Sequence, residues 1–233
     1  MFKALKNYAF AFYTARPKLF FFRFVRQNPQ LAYLCADRDT EIVIEGFPRC
    51  GNTFAVIAFQ SAQQRKIKVA HHLHVPAQIR FAASYGIPTL VLIREPLAAI
   101  SSLIVRHPER SPEQCLIEYT NFYASIFSLK NRFVVSDFPV TVNDFGSVTA
   151  RINERFKTSF DCFEHTPCNI EAVFARIEKN NRILEKGSVM QLAKPAQEKE
   201  LPKEEVKAML RSEKFSALLG AAERAYQRLT ALS

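Results

Sequence analysis

The sequence predicts an α/β fold in which a central parallel sheet lies between two helical layers, a three-layer sandwich. Three observations carry that expectation. Short β-rich runs alternate with helix-compatible segments along most of the chain. One run, Thr89-Leu90-Val91-Leu92-Ile93-Arg94, is apolar almost without a break, as a strand covered on both faces requires. The first run ends in a loop bounded by Gly46 and Gly51, and a helical pattern opens directly after it.

Taken in order, residues 1–30 form a segment apart, in which Phe2, Tyr8, Phe10, Phe12, Tyr13 and the run Leu19-Phe20-Phe21-Phe22 are interleaved with Lys3, Lys6, Arg16, Lys18, Arg23 and Arg26. Pro17 divides this segment into two short helices. Residues 31–233 read as a single domain. Within it, 41–45 is a strand ending at Gly46, 53–64 a helix, 67–72 a second strand and 89–94 a third. Pro96 opens a helix to residue 105, because proline is tolerated in the first turn. Ser111-Pro112-Glu113 is an N-cap followed by a first-turn proline and starts a helix that runs to about residue 130. Residues 133–136 and 139–142 read as a last strand with its lead-out, and helices follow near 169–185, 203–211 and 213–231.

Composition narrows the function classes. The 233 residues carry 32 Lys+Arg against 22 Asp+Glu, a formal charge of +10 that calls for an anionic counterpart: nucleic acid, an anionic membrane surface or a phosphate-rich small molecule. With 48 % hydrophobic and 23 % charged residues the chain is not intrinsically disordered, and no run of eighteen apolar residues predicts a transmembrane helix. The apolar stretch near residues 8–15 is too short for a secretory signal. Phe interleaved with basic residues suits peripheral membrane contact through residues 1–28, and equally a segment that covers the core; the second reading takes precedence here. The five cysteines are an odd number in a chain too large to need disulfide staples, so a reducing, cytoplasmic setting is expected. Cys162, His165 and Cys168 lack a matching fourth ligand, and no metal is expected.

The segment Gly46-Phe47-Pro48-Arg49-Cys50-Gly51-Asn52-Thr53 has the spacing of a phosphate loop, in which backbone N–H groups and a helix N-terminus wrap an anion. Where a nucleotide triphosphatase places lysine, this chain has Asn52, which carries no charge; Arg49 supplies a cation from inside the loop instead. With the following Phe54, the loop resembles the 5′-phosphosulfate-binding loop of the sulfotransferase family. Arg94-Glu95-Pro96-Leu97-Ala98-Ala99-Ile100-Ser101-Ser102 resembles that family's 3′-phosphate motif, an arginine ending a strand with a serine eight positions on. Between them, His72-Leu73-His74-Val75-Pro76 resembles the segment that carries the catalytic histidine of the cytosolic enzymes, and Leu201 to Val206 with Ala222 and Tyr226 resembles the C-terminal helices of small bacterial members.

That resemblance implies a P-loop-like sulfotransferase fold and the co-substrate 3′-phosphoadenosine 5′-phosphosulfate, whose sulfuryl group passes by in-line displacement to a hydroxyl or amine acceptor. It implies that the backbone of Cys50, Gly51, Asn52 and Thr53 holds the 5′-phosphate, with the Thr53 hydroxyl assisting. Arg49 stabilises charge on the bridging oxygen, Phe54 stacks on adenine, and Arg94 and Ser102 clasp the 3′-phosphate. His74 is the implied base and His72 assists the transferring group; Glu45 and Glu118 are the carboxylate alternatives. The chain departs from the family at Cys50 and Asn52 and lacks the C-terminal Arg-Lys-Gly motif, for which Lys194-Pro195 is a partial substitute. Competing readings are a P-loop kinase or NTPase, a non-catalytic basic protein that binds membrane or nucleic acid, and a catalytically silent relative. The donor motifs remove the need for nucleic acid as partner. Nothing in residues 76–87, 107–118 or 155–170, read as acceptor-specificity loops, identifies a carbohydrate, lipid, phenol or peptide.

Overall fold

A computed structural model describes residues 16–184 and 200–232. Pro17 sits in the first turn of α1 (Pro17–Gln27), and the helix is followed by a 3₁₀ turn, Pro29–Leu34. The partner helix expected before Pro17 and the pair Lys194-Pro195 lie outside the described residues. The sheet and its first helices then run β1 (Ile42–Gly46), α2 (Asn52–Ala62), β2 (Val69–His71), α3 (Pro76–Tyr85), β3 (Thr89–Ile93) and α4 (Pro96–Arg106). The chain continues with α5 (Pro112–Ile126), a 3₁₀ turn Phe127–Arg132, β4 (Val134–Asp137), α6 (Phe138–Asn143), α7 (Phe145–Phe156), α8 (Pro167–Leu184), α9 (Glu200–Leu210) and α10 (Ser216–Thr230).

The four strands are parallel in the order β2-β1-β3-β4. From β1 the chain steps one way to β2, then crosses back over β1 to β3 and continues to β4. Right-handed crossovers in opposite directions must use opposite faces of the sheet. Accordingly α2 packs with α7 and α8, whereas α3 packs with α1 and α5, and α5 with α4 and α10. Every residue of β1 and β3 is buried. Ile42, Ile44, Leu90 and Leu92 are wholly removed from water, each contributing roughly 1.5–3 kcal/mol. The carboxyl ends of β1 and β3 lie side by side where the connections diverge, the place where open parallel sheets gather ligand-binding loops.

Three expectations change, and one helix, α7, was not foreseen. Residues 139–142 are not a lead-out strand but α6: Asp137 accepts the Phe138 N–H at 2.8 Å, and Pro139 fits a helix's first turn while it could not donate in a sheet. Residues 76–85 are the helix α3 and not a loop, ended by Gly86 with φ +67°; its buried Gln78 breaks the apolar stripe that would have revealed it. Helix α7 was readable, with Asp144 as N-cap and Phe145, Val148, Thr149 and Ile152 at helical spacing on the buried face. Strand β2 is only three residues long because His72 turns to φ +60° and leaves the sheet. His165 is structural: its Nδ1 accepts from the Phe145 N–H and its Nε2 lies 3.1 Å from the Val142 carbonyl, while Cys162 and Cys168 are exposed.

Candidate functional site

Gly46 is the last residue of β1, and only glycine fits there, since a Cβ would stand 2.3 Å from the Leu92 carbonyl oxygen of β3. The chain then turns through Arg49 at φ +70° and Gly51 at φ +87° into α2, which begins with no side-chain cap. Arg49 is held there against the ordinary preference of an L-residue, a cost of order 1–3 kcal/mol that concentrates at functional sites. Around the loop the braces are specific. Asn52 donates from Nδ2 to the Phe47 carbonyl at 3.0 Å, so the residue at the lysine position of an NTPase loop is turned inward as a clamp. Tyr123 accepts the Phe47 N–H at 3.3 Å and donates to Leu92 O at 2.8 Å, tying loop to strand. The Cys50 thiol is buried beside that phenol and pushed up to about 12 by burial, so only its main chain is available to a ligand.

Arg94, immediately after β3, reaches across to the loop. Its Nη1 donates to the Arg49 carbonyl at 3.2 Å and its guanidinium lies 4.0 Å from the Phe138 ring centre, a cation–π contact at the start of α6. Arg49 in turn donates from Nε to Ser102 Oγ at 3.0 Å. Arg49, Arg94 and Ser102, far apart in the chain, therefore meet at one place. Burial weakens the hold of Arg94 on its proton, yet a guanidinium with so high an intrinsic pKa stays charged. The Tyr119 hydroxyl, one helical turn from Tyr123 on α5, donates to Arg94 O at 2.6 Å and fixes its main chain.

Two histidines follow the end of β2 and reach the same loop. His72 and His74 both have positive φ, +60° and +54°. The Nε2 of His72 lies 3.1 Å from Thr53 Oγ1, and its Nδ1 lies 2.6 Å from Nδ1 of His71. Alternation along a strand would set His71 and His72 on opposite sides; the turn at His72 cancels it and brings the rings together. At that distance one Nδ1 donates its proton to the other, so the two rings cannot both be protonated there. Burial holds His71 down to about 4 and His72 well below the ordinary imidazole range. His72 therefore stands within hydrogen-bond distance of Thr53 as a neutral ring.

His74 Nδ1 donates to the Gly46 carbonyl at 2.7 Å. That bond sets the tautomer and leaves the lone pair on Nε2, on an imidazole still 28 % exposed. Burial lowers its pKa, so the ring is neutral at pH 7. Behind it lies Glu45, wholly buried, with Oε1 3.6 Å from His74 Nδ1 and Oε2 accepting from Leu73 N and Gln78 Nε2. Burial raises Glu45 to about 8. Sequence reasoning weighed Glu45 as a base; in this position it has no access to an acceptor and instead holds the backbone that carries His74. Glu118 is paired with Arg110 and Gln114 on its own stretch of chain. Phe54 is 5 % exposed, ringed by Phe163, His165 and Phe174, so it belongs to the core and has no open face for a base.

Gln78, Tyr119, Tyr123 and Phe138 were missed as parts of the site. The i, i+4 spacing of the two tyrosines placed them on one face of α5, but nothing local to them named the loop and strand they serve. No family model, curated protein or solved structure gives a significant match to this chain.

Proposed function

We propose that the protein is a sulfotransferase that moves the sulfuryl group of 3′-phosphoadenosine 5′-phosphosulfate to a hydroxyl or amine. The observation that carries this reading is the meeting of an uncapped helix N-terminus with Arg49 of its loop, Arg94 from the end of the neighbouring strand and Ser102 of α4, beside a neutral histidine bonded through Nδ1 to the first residue of that loop. The α2 N-terminus suits the 5′-phosphate and the Arg94 side a second anion, a pattern that matches a bisphosphorylated adenosine better than a triphosphate chain. An NTPase reading is less favoured: Asn52 is committed to the Phe47 carbonyl, β3 is followed by an arginine, and the Asp137 carboxylate already serves Phe138 N and the Tyr226 hydroxyl.

In the transfer, the acceptor oxygen or nitrogen would form a bond to sulfur as the bond from sulfur to the bridging oxygen breaks. His74 Nε2 would take the acceptor's proton, and Arg49 would meet the charge left on the departing bisphosphate. Thr53, oriented by His72, would hold the 5′-phosphate at the helix end.

The purified chain should bind adenosine 3′,5′-bisphosphate more tightly than ATP in calorimetric titration. With the sulfated donor and a panel of hydroxyl and amine acceptors, His74→Ala should keep that binding and lose at least about a hundredfold in turnover, the scale of general-base catalysis. Tighter binding of ATP than of the bisphosphate, or unchanged turnover in His74→Ala, would overturn the reading.

A further inference from the structure

The first six cationic residues of the chain, Lys3, Lys6, Arg16, Lys18, Arg23 and Arg26, all precede its first acidic residue, Asp37, and so account for six of the ten net charges. The candidate site uses none of them. In α1 the half-buried residues are Pro17, Phe20, Phe21, Phe24 and Val25, at helical spacing, and Phe21 packs edge-on against Phe81 of α3 at 5.4 Å. The opposite face consists of Lys18, Leu19, Phe22, Arg23, Arg26 and Gln27, all exposed. Among the described residues Phe22 is the one exposed phenylalanine, 67 % open to solvent, and Tyr33 in the 3₁₀ turn just beyond is 66 % open.

A solvent-facing helix surface ordinarily mixes charges of both signs and keeps its aromatic rings inward. Here bulky apolar groups stand among cations with no acid, while the same helix satisfies its own core with a different set of phenylalanines. No described helix is long and apolar enough to cross a bilayer, so such a face has an interfacial use. We infer that the outer face of α1 docks onto an anionic lipid surface, with Leu19 and Phe22 entering the headgroup boundary and Lys18, Arg23 and Arg26 meeting lipid charges. The segment is also tied to the candidate site. Gln78 donates to the carbonyl of Leu34, at the end of the 3₁₀ turn, and to Glu45 beneath His74, while its Oε1 accepts from Ala36 N at 2.7 Å.

The test is flotation of the full chain with phosphatidylcholine vesicles, with and without phosphatidylserine. Binding is expected only when phosphatidylserine is present. Arg23→Gln with Arg26→Gln should weaken it about thirtyfold, from about 1 kcal/mol per basic residue. Phe22→Ser should weaken it about tenfold or more, on the scale of burying one aromatic side chain. Each variant's melting temperature is recorded alongside, so that a loss of binding counts only in a folded protein. Arg155→Gln, on α7 at the far edge of β4, should leave binding unchanged. Equal binding to both vesicle types, an Arg155→Gln effect as large as that of the α1 pair, full binding by a folded Phe22→Ser protein, or binding to duplex DNA with none to phosphatidylserine would each overturn the inference.

Discussion

Two junctions at the carboxyl edge of the sheet, β1 to α2 and β3 to α4, occupy neighbouring positions and are built in opposite ways. At β3–α4 the turn is short, Glu95 accepts the N–H groups of Leu97 and Ala98 at 3.1 and 2.7 Å, and Pro96 has no N–H to offer. That helix end is filled by the chain's own carboxylate. At β1–α2 the turn is longer, runs through two positive φ angles, and reaches its helix with neither cap nor acid in the first turn. The arginine that follows β3 does not serve its own helix but crosses to the other junction. An uncapped N-terminus attracts negative charge, and the adjacent capped end shows that this fold can satisfy such a terminus internally when no ligand is needed.

Gly46→Ala should break the contrast most severely, because the new Cβ would meet the Leu92 carbonyl and force β1 away from β3 just where the loop begins; a loss of about 3 kcal/mol or more in denaturant unfolding is expected. Arg94→Ala should cost roughly ten- to a hundredfold in affinity for adenosine 3′,5′-bisphosphate, the worth of a charge-assisted bond, and erase the preference over ATP in the same titration.

Glu45 gives a pH signature. In the fold it keeps its proton up to about pH 8, whereas the unfolded chain releases it near 4.5, so the native state is the more protonated in that interval and stability falls as pH rises through it. His71, lowered to about 4 from 6.5, acts in reverse: below pH 6.5 the unfolded chain binds the extra proton, and stability rises with pH. Between pH 6.5 and 8 the Glu45 slope stands without that opposition. Glu45→Gln should remove a decline of about 2 kcal/mol across that window in urea titrations. The smallest effect belongs to the capped junction. Glu95→Ala should cost about 1 kcal/mol of stability, the value of an N-cap, and leave bisphosphate affinity unchanged.

The same contrast explains what the sequence revealed. The Gly46 and Gly51 spacing, Arg94 after an apolar strand and Ser102 eight positions on are local patterns, and they were legible before any coordinates. So were the three-layer α/β class and most helices, since hydrophobic period is a local property. What stayed hidden depends on contacts between distant segments. Phe54 read as a base-stacking ring, yet its place on α2 faces Phe163 and Phe174 of a segment a hundred residues later. His72 read as an assistant to the transferring group from its place in the motif, yet its short bond to His71 follows from a backbone turn that alternation along a strand could not foretell. Glu45 read as an alternative base because related carbohydrate-acting enzymes of the family it resembles use a glutamate; its complete burial, with Gln78 and Leu73 as donors, is a long-range property that the sequence does not display.

Amide hydrogen exchange with and without adenosine 3′,5′-bisphosphate compares the two junctions within one sample. The open-junction account predicts that the ligand slows exchange at the amides of residues 50–54 while those of Leu97 and Ala98, already bonded to Glu95, do not change. Equal slowing at both helix ends, or at neither, would contradict it.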